Sequence, residues 1–203
     1  RAVTPALPAR PARRYTAGVQ PAFLSGQLLL SLPGIGDPRF ERVVIAMCTH
    51  DRDGALGLVV NHVIPDLTVP DLMRQLDIDP GATPARPVLA GGPVEPGRGF
   101  VLHDPDYGGG STIQVGRQWA LTATVDVLRA IAAGNGPRRW HAVLGYTGWG
   151  AGQLDEEMTS HGWLNAPGDP GIVFDTALEA RWPAALAGMG IAPDRLAGEA
   201  GRA

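Results

Sequence analysis

Apolar residues occur in short runs along this chain, and the runs are separated by turn-forming Gly, Pro, Asn and Asp. The segment Leu28–Leu32 predicts a first strand, which the pair Pro33-Gly34 ends. The segment Val43–Cys48 is apolar at every position, which is typical of a strand that is covered on both faces. The sequence Asp51-Arg52-Asp53-Gly54 predicts a hairpin turn, so that Leu56–Asn61 is the expected returning strand.

Helical spacing of apolar residues is confined to a few segments of the remaining chain. Residues 69–78 and 124–133 predict amphipathic helices, the second with Thr124 as its N-cap. Further helices are predicted at 152–162, 177–189 and 193–199, and strands at 87–90, 99–103, 111–115, 119–122, 140–146 and 172–174. Several hairpins and few strand–helix–strand units favour an α+β domain with a mixed sheet over a doubly wound parallel sheet.

Residues 1–22 differ in composition from the remainder of the chain. They are rich in Pro, Ala and Arg and show no apolar periodicity, which predicts a flexible arm. Arg10, Arg13 and Arg14 make the arm basic, so that it is either a solvated tail, which we favour, or a contact for an acidic partner such as nucleic acid. Residues 23–203 are expected to form a single domain, because the 203-residue chain has 44% hydrophobic content.

The charge balance and the choice of basic residues narrow the range of functions. The formal net charge is -3, which argues against a dedicated nucleic-acid binder because such proteins neutralise phosphates. All 17 basic residues are Arg. A phosphate-binding loop of the Walker type and a pyridoxal-phosphate site both require Lys, so neither is possible in this sequence. No cofactor is expected.

The use of cysteine and the pattern of hydropathy bear on the location of the protein. Cys48 is the single cysteine, so no internal disulfide can form, which favours a reducing compartment. No apolar run approaches the roughly 18 residues that a membrane span needs. The first 15 residues lack the apolar stretch of a secretory signal. These observations predict a cytoplasmic protein with no membrane partner.

Three segments resemble one family of small bacterial proteins. They are GQLLLSLPGIGDPRFERVVIAMCTHDRDGALGLVVN, AGGPVEPGRGFVLHD and GYTGWGAGQLDEEM, the last followed by Trp163-Leu164. Their order and spacing resemble those of the YqgE/AlgH family over about residues 23–175. The resemblance implies an α+β fold with a coiled mixed sheet, and it implies no reaction. A role in controlling exopolysaccharide production is attached to some family members. The N-terminus of this chain is longer than is usual in the family.

Cys48 is the most reactive side chain that the sequence offers. Residues two apart on a strand share a face, so Cys48 and His50 are expected to point the same way. An imidazole there would lower the pKa of the thiol, which would suit a redox sensor or, less readily, a nucleophile. The alternative, which we favour, is a cysteine that packs as a small hydrophobe at the end of a strand.

The glycine-rich segment Gly145–Gly152 is expected to connect a buried strand to a helix. The backbone of Gly148, Trp149 and Gly150, together with Gln153, is a candidate for binding an anion. The favoured alternative is a tight turn whose glycines let Trp149 pack closely. Asn61, at the end of a predicted strand, is either a cap, which we favour, or a ligand contact.

No metal site is expected from the spacing of acidic and histidine side chains. Glu157 and His161 lie four residues apart and share one helical face, but two ligands are too few, and a solvated pair is favoured. Together these patterns predict a cytoplasmic protein that regulates without catalysis, through an unidentified protein or small-molecule partner. The alternatives are a thiol-based redox sensor or enzyme centred on Cys48 and His50, and a DNA-binding transcriptional regulator.

Overall fold

The computed structural model describes residues 23–33, 40–160 and 162–193. Strands β1–β10 span Leu28–Ser31, Val44–Asp51, Gly54–Val59, Val63–Thr68, Pro87–Ala90, Val94–His103, Thr112–Val115, Trp119–Thr122, Trp140–Gly150 and Trp163–Ala166. Helices α1–α5 span Val69–Gln75, Asp126–Ala132, Gln153–Ser160, Pro170–Phe174 and Arg181–Gly188, and a 3₁₀ helix covers Leu178–Ala180. The arm predicted at 1–22, and all but the first residue of the helix predicted at 193–199, lie outside the described residues.

The described strands form one curled sheet. Its order is β10-β1-β2-β3-β9-β6-β8-β7, while β4 pairs with β5 and β5 with β9. The β5–β9 pair is parallel and the other pairs are antiparallel. Strand β9 is the longest and pairs with β3, β5 and β6, so it joins the two halves of the sheet. The expected single α+β domain, with a coiled and largely antiparallel mixed sheet flanked by helices, is confirmed.

The core is divided between the two faces of the curled sheet. On β2, Val44 and Ala46 belong to a cluster on the inner face that includes Trp182 and Leu186 of α5. The intervening Ile45 and Met47 belong to a different cluster, on the outer face. A third cluster, which contains residues of α1 and α2, covers the outer face of β5, β6 and β9. Both faces of the central strands are therefore covered, which explains the continuous apolar run in β2.

Two predicted local structures are wrong. The segment 172–174, predicted as a strand, lies in α4, where the Asp169 side chain accepts a hydrogen bond from the Gly171 N–H and Pro170 begins the helix. Thr124 does not cap α2; its hydroxyl is 3.0 Å from that of Ser111 instead. The strands β4 and β10 were not predicted. Within the described residues, no helix combines the length and the apolar character needed to cross a membrane.

Candidate functional site

A basin of about 450 Å³ lies at the tip of the hairpin formed by β2 and β3. Half-buried Thr49, Leu56 and Tyr146 line it, and the exposed carboxylates of Asp51 and Asp53 border it. Leu56 and Tyr146 also pack against the core of the inner face, so their positions are tied to the rest of the domain. We call this surface the hairpin basin. Its combination of apolar floor and acidic border suits a ligand with apolar and cationic groups.

A hydrogen-bonded cluster centred on Glu157 supports one side of the hairpin basin. One oxygen of this carboxylate accepts from the indole N–H of Trp149 at 2.9 Å and from that of Trp163 at 3.2 Å. Its other oxygen accepts from Gln153 Nε2 at 2.9 Å. The two indole rings meet edge to face, with centroids 6.2 Å apart. The cluster fixes α3 against the end of β9, because three donors converge on one carboxylate.

The glycine-rich segment is a strand and not a loop. β9 continues to Gly150, and Ala151 and Gly152 alone separate it from α3. The Gly150 N–H already donates to Gln153 Oε1 at 3.0 Å. Trp149 is buried on the outer face, whereas Gly148 is exposed and lines the basin. The structure therefore brings Trp149, Gly150 and Gln153 together, but the backbone amide of Gly150 is engaged within the protein.

The expectation that Cys48 and His50 share a face of β2 is wrong. The pairing of β2 with β3 shifts between Met47 and Thr49, so one extra residue interrupts the alternation of faces. As a result, Cys48 joins the inner core, whereas His50 packs on the outer side against Phe23, with ring centroids 5.4 Å apart. His50 Nδ1 accepts from the Leu24 N–H at 3.1 Å, and Nε2 lies 3.8 Å from Asp155 Oδ1.

The environment of Cys48 also reverses the expected change in its acidity. The side chain is buried and its Sγ lies 3.5 Å from the Ala46 carbonyl oxygen, to which it donates. Burial raises the pKa of the Cys48 thiol to about 12, because an apolar environment disfavours the thiolate. The prediction of a lowered thiol pKa is therefore wrong. The structure favours a cysteine that packs as a small hydrophobe.

Asn61 lies at the opposite end of the same hairpin from the basin. Its Oδ1 accepts from the Val44 N–H at 2.8 Å, and its Nδ2 donates to the Arg42 carbonyl oxygen at 2.9 Å. Asn61 therefore makes the contacts of a cap for the start of β2. It also lines a second depression, of about 430 Å³, together with Arg42, His62, Glu179 and Trp182. We call this depression the Arg42 cleft.

The sequence analysis did not single out two further polar groups that lie close together, namely buried Arg181 at the start of α5 and half-buried His141 of β9. The Arg181 guanidinium donates to the carbonyl oxygens of Val60 and Thr176, and its Nη2 lies 3.0 Å from His141 Nε2. Burial lowers the pKa of His141 to about 4, and the positive charge of Arg181 acts in the same direction. No sequence signal marks this pair, because 40 residues separate its members.

The arrangement of histidine, cysteine and acidic side chains does not form a metal centre in the described part of the chain. No group of three or more such residues converges there. Glu157 is engaged by Trp149, Trp163 and Gln153, and His161 lies outside the described residues. The two concave surfaces offer hydrogen-bonding groups, charge and apolar contact to a ligand.

The fold and its surfaces define a single α+β domain built on one curled sheet, with concave surfaces at the two ends of its β2–β3 hairpin. The chain belongs to the AlgH-like family, whose model matches residues 28–194. The resemblance to the YqgE/AlgH family is thereby confirmed.

Individual relatives and solved structures support this assignment. A UPF0301 protein of Rhizorhabdus wittichii is 55% identical over 183 residues, which cover 90% of this chain and 98% of the relative. A UPF0301 protein of Novosphingobium aromaticivorans is 51% identical over 181 residues, which cover 89% of this chain and 97% of the relative. The solution structure of the AlgH protein from Pseudomonas aeruginosa matches with a TM-score of 0.73 and 38% identity, over 93% of this chain and all of that one. A crystal structure of a Corynebacterium diphtheriae protein, 18% identical with a TM-score of 0.60 over 76% of this chain and 81% of its own, shares the fold.

Proposed function

We propose that this protein is a cytoplasmic regulatory protein that acts by binding a partner and not by catalysis. The observation that carries the proposal is the hairpin basin, where the exposed carboxylates of Asp51 and Asp53 border half-buried Leu56 and Tyr146. Apolar and aromatic surface beside fixed charges is characteristic of protein recognition sites. A cytoplasmic location accords with the single, unpaired Cys48.

The chemistry of the basin favours a partner segment that contains arginine. The Tyr146 ring already makes a cation–π contact with a guanidinium. Arg98 Cζ lies 5.8 Å from the ring centroid of Tyr146 and 5.2 Å from that of Phe100. The two hairpin carboxylates would pair with further cations. A basic peptide segment with an apolar residue for the floor therefore matches the surface in charge and in apolar character.

Two other functions receive less support. A redox step at Cys48 requires an accessible thiolate, and burial of this thiol opposes both conditions. Nucleic-acid binding requires unpaired arginines, yet Arg74, Arg98, Arg129, Arg138 and Arg139 each pair with a carboxylate. Among the described residues, Arg42, Arg52, Arg86 and Arg117 form no ion pair, so a nucleic-acid role would rest on these and on Arg10, Arg13 and Arg14, which lie outside the described residues.

The proposal is tested with a labelled peptide of mixed Arg and Leu residues, whose binding is followed by fluorescence anisotropy at low salt. In the double variant Asp51→Asn and Asp53→Asn, we expect binding at least about fivefold weaker, since two partly desolvated charge pairs contribute on the order of 1 kcal/mol or more. Asn at position 51 retains an oxygen that can accept from the residue-53 N–H, as Asp51 does at 2.8 Å, so the turn is preserved.

The matched control carries Asp66→Asn and Asp77→Asn, which remove the same charge at exposed positions outside the basin. Both positions have positive φ, 57° and 56°, a conformation that Asn adopts readily. If both double variants weakened peptide binding equally, the affinity would depend on the net charge of the protein alone. The basin would then not be the binding site. A photo-crosslinking residue at position 53, compared with one at position 77, then captures the natural partner.

A further inference from the structure

A second concave surface, independent of the hairpin basin, lies where β2 begins. The Arg42 cleft has a volume of about 430 Å³, which is within the range of sites for small molecules. Its walls come from the residues before β2, the turn after β3, and α5. The cleft is therefore formed by segments that are distant in the sequence and are held together by the fold.

The backbone of Arg42 is held in an uncommon conformation at the edge of this cleft. Its φ is 51°, in the left-handed region, which costs a residue other than Gly on the order of 1 kcal/mol or more. Asn61 stabilises this conformation, because its side chain binds both the Arg42 carbonyl oxygen and the Val44 N–H. Strained backbone conformations of this kind cluster at active sites and ligand-binding sites.

The Arg42 side chain is directed onto a fixed aromatic platform. Its Cζ lies 5.7 Å from the ring centroid of Trp182, a buried residue of α5. The Trp182 indole N–H donates to the Ser31 carbonyl oxygen at 2.9 Å, and the Ser31 hydroxyl accepts from the Val43 N–H at 2.8 Å. The ring and the supporting backbone are thus positioned before any ligand arrives, which lowers the entropic cost of binding, and the exposed Arg42 guanidinium lies against that ring.

The guanidinium of Arg42 differs from those of the arginines that form ion pairs in the described part of the chain. Across 23–33, 40–160 and 162–193, its guanidinium lies within 4.0 Å of no carboxylate, whereas Arg74, Arg98 and Arg129 each have one three residues away. A second cation, buried Arg181, lies behind the cleft and binds the Val60 carbonyl oxygen. Glu41 and Glu179 stand at the exposed rim, where solvent screens their charge.

His62 adds a neutral polar group to the same wall. It is half-buried, and burial lowers its pKa, so the imidazole is neutral at pH 7 and offers one donor and one acceptor. A guanidinium with a free fork of donors is suited to a carboxylate or phosphate, which it can bind through two parallel hydrogen bonds. We propose that the Arg42 cleft is a binding site for a small metabolite that carries a carboxylate or phosphate group.

The experiment uses two simple probes, inorganic phosphate and malonate, at constant ionic strength. Binding is followed through tryptophan emission and by calorimetric titration, since Trp182 lies beside the guanidinium. We expect saturable millimolar binding of at least one probe. In the variant Arg42→Gly, the affinity should fall at least tenfold while the protein remains folded, because Gly adopts a φ of 51° without strain. Arg42→Lys should restore part of the affinity, as it keeps the charge but not the fork.

Two controls separate this site from general charge effects and from the hairpin basin. Arg117→Gly removes an equal charge at an exposed position outside the cleft and should leave binding unchanged. The double variant Asp51→Asn and Asp53→Asn should also leave binding of the probes unchanged, because it alters the hairpin basin alone. The proposals for the two sites can therefore fail independently of each other. Preference for phosphate or for malonate identifies the ligand group. Binding of neither probe, or equal binding by the parent and Arg42→Gly, would overturn the proposal.

Discussion

Cys48, His141 and Asp104 are each held in one protonation state by their surroundings. The thiol of Cys48 and the imidazole of His141 remain neutral because burial opposes their charged forms. Burial alone would raise the pKa of Asp104, but hydrogen bonds and charge from Arg139 outweigh this effect and lower it. These residues therefore contribute to stability in ways that depend on pH.

Cys48 should react slowly with alkylating reagents while the protein is folded. At pH 8 we expect iodoacetamide to modify it at least tenfold more slowly than in the urea-unfolded chain, since both access and thiolate formation are opposed. The single cysteine makes the mass-spectrometric measurement unambiguous. Equal rates in the folded and unfolded protein would show that the thiol is exposed.

His141 should make the protein less stable as the pH falls from 6.5 towards 4. The unfolded chain binds a proton on this imidazole near pH 6.5, whereas the folded protein resists it until about pH 4. Over that interval the free energy of unfolding should therefore decline by up to about 1.4 kcal/mol per pH unit. The free energies of unfolding of the parent and of His141→Gln are measured by urea titration at pH 7 and pH 5. The difference between the two proteins should be smaller at pH 5. Parallel pH dependence in the two proteins would contradict the assignment.

At the scale of strands and helices, the sheet requires small residues where two backbone segments approach each other closely. Gly91 follows β5 and accepts from the Val59 N–H at 2.9 Å, while its own N–H donates to the Leu144 carbonyl oxygen at 2.8 Å. It thereby connects the end of β3 with β9. A side chain at this position would meet the backbone of Gly145, so the element geometry requires glycine.

Gly91→Ala should destabilise the protein markedly. The added Cβ would lie 2.3 Å from the Gly145 carbonyl oxygen and 2.4 Å from Val143 Cγ1, so that backbone must move. We expect a loss of about 1–3 kcal/mol or more in the free energy of unfolding, measured by urea titration. Gly97→Ala is the matched control, because nothing lies within 4 Å of its added Cβ. Similar stabilities for the two variants would mean that the sheet adapts locally.

The strands and helices were predicted from sequence with uneven success, for identifiable reasons. The hairpin β2–β3 was predicted because its turn residues and its apolar runs indicate the same structure. The run Trp163–Ala166 was not recognised as a strand, since its pairing with β1 joins residues more than 130 positions apart. Conversely, the apolar triplet at 172–174 was taken for a strand, although the Asp169 cap and Pro170 favour a helix start.

At the scale of the whole molecule, long-range contacts make the described part of the chain one structural unit. Strand β9 pairs with three other strands, and α5 packs into the inner face of the sheet. Arg139 links Asp104, just after β6, to Asp175, the C-cap of α4, at 2.7 and 2.5 Å. The sheet and the helices of its inner face therefore depend on one another for their positions.

Unfolding of this domain should be cooperative. We expect the urea transitions followed by far-UV circular dichroism and by tryptophan emission to coincide, because buried Trp119, Trp140 and Trp149 lie one in each of the three core clusters. An indole that reports an earlier transition than the sheet would show that one face of the core opens by itself. Single Trp→Phe variants would then identify which face it is.

The sequence by itself determined the family, the α+β class and the central hairpin, because these depend on local turn chemistry, apolar periodicity and ordered motifs. Tertiary structure alone decided the surroundings of the candidate residues. A single bulge in β2 placed Cys48 and His50 on opposite faces, since a shift of one residue reverses the direction of each following side chain. The Arg42 cleft likewise combines Arg42, Asn61 and Trp182, whose proximity depends on the curl of the sheet and on the packing of α5.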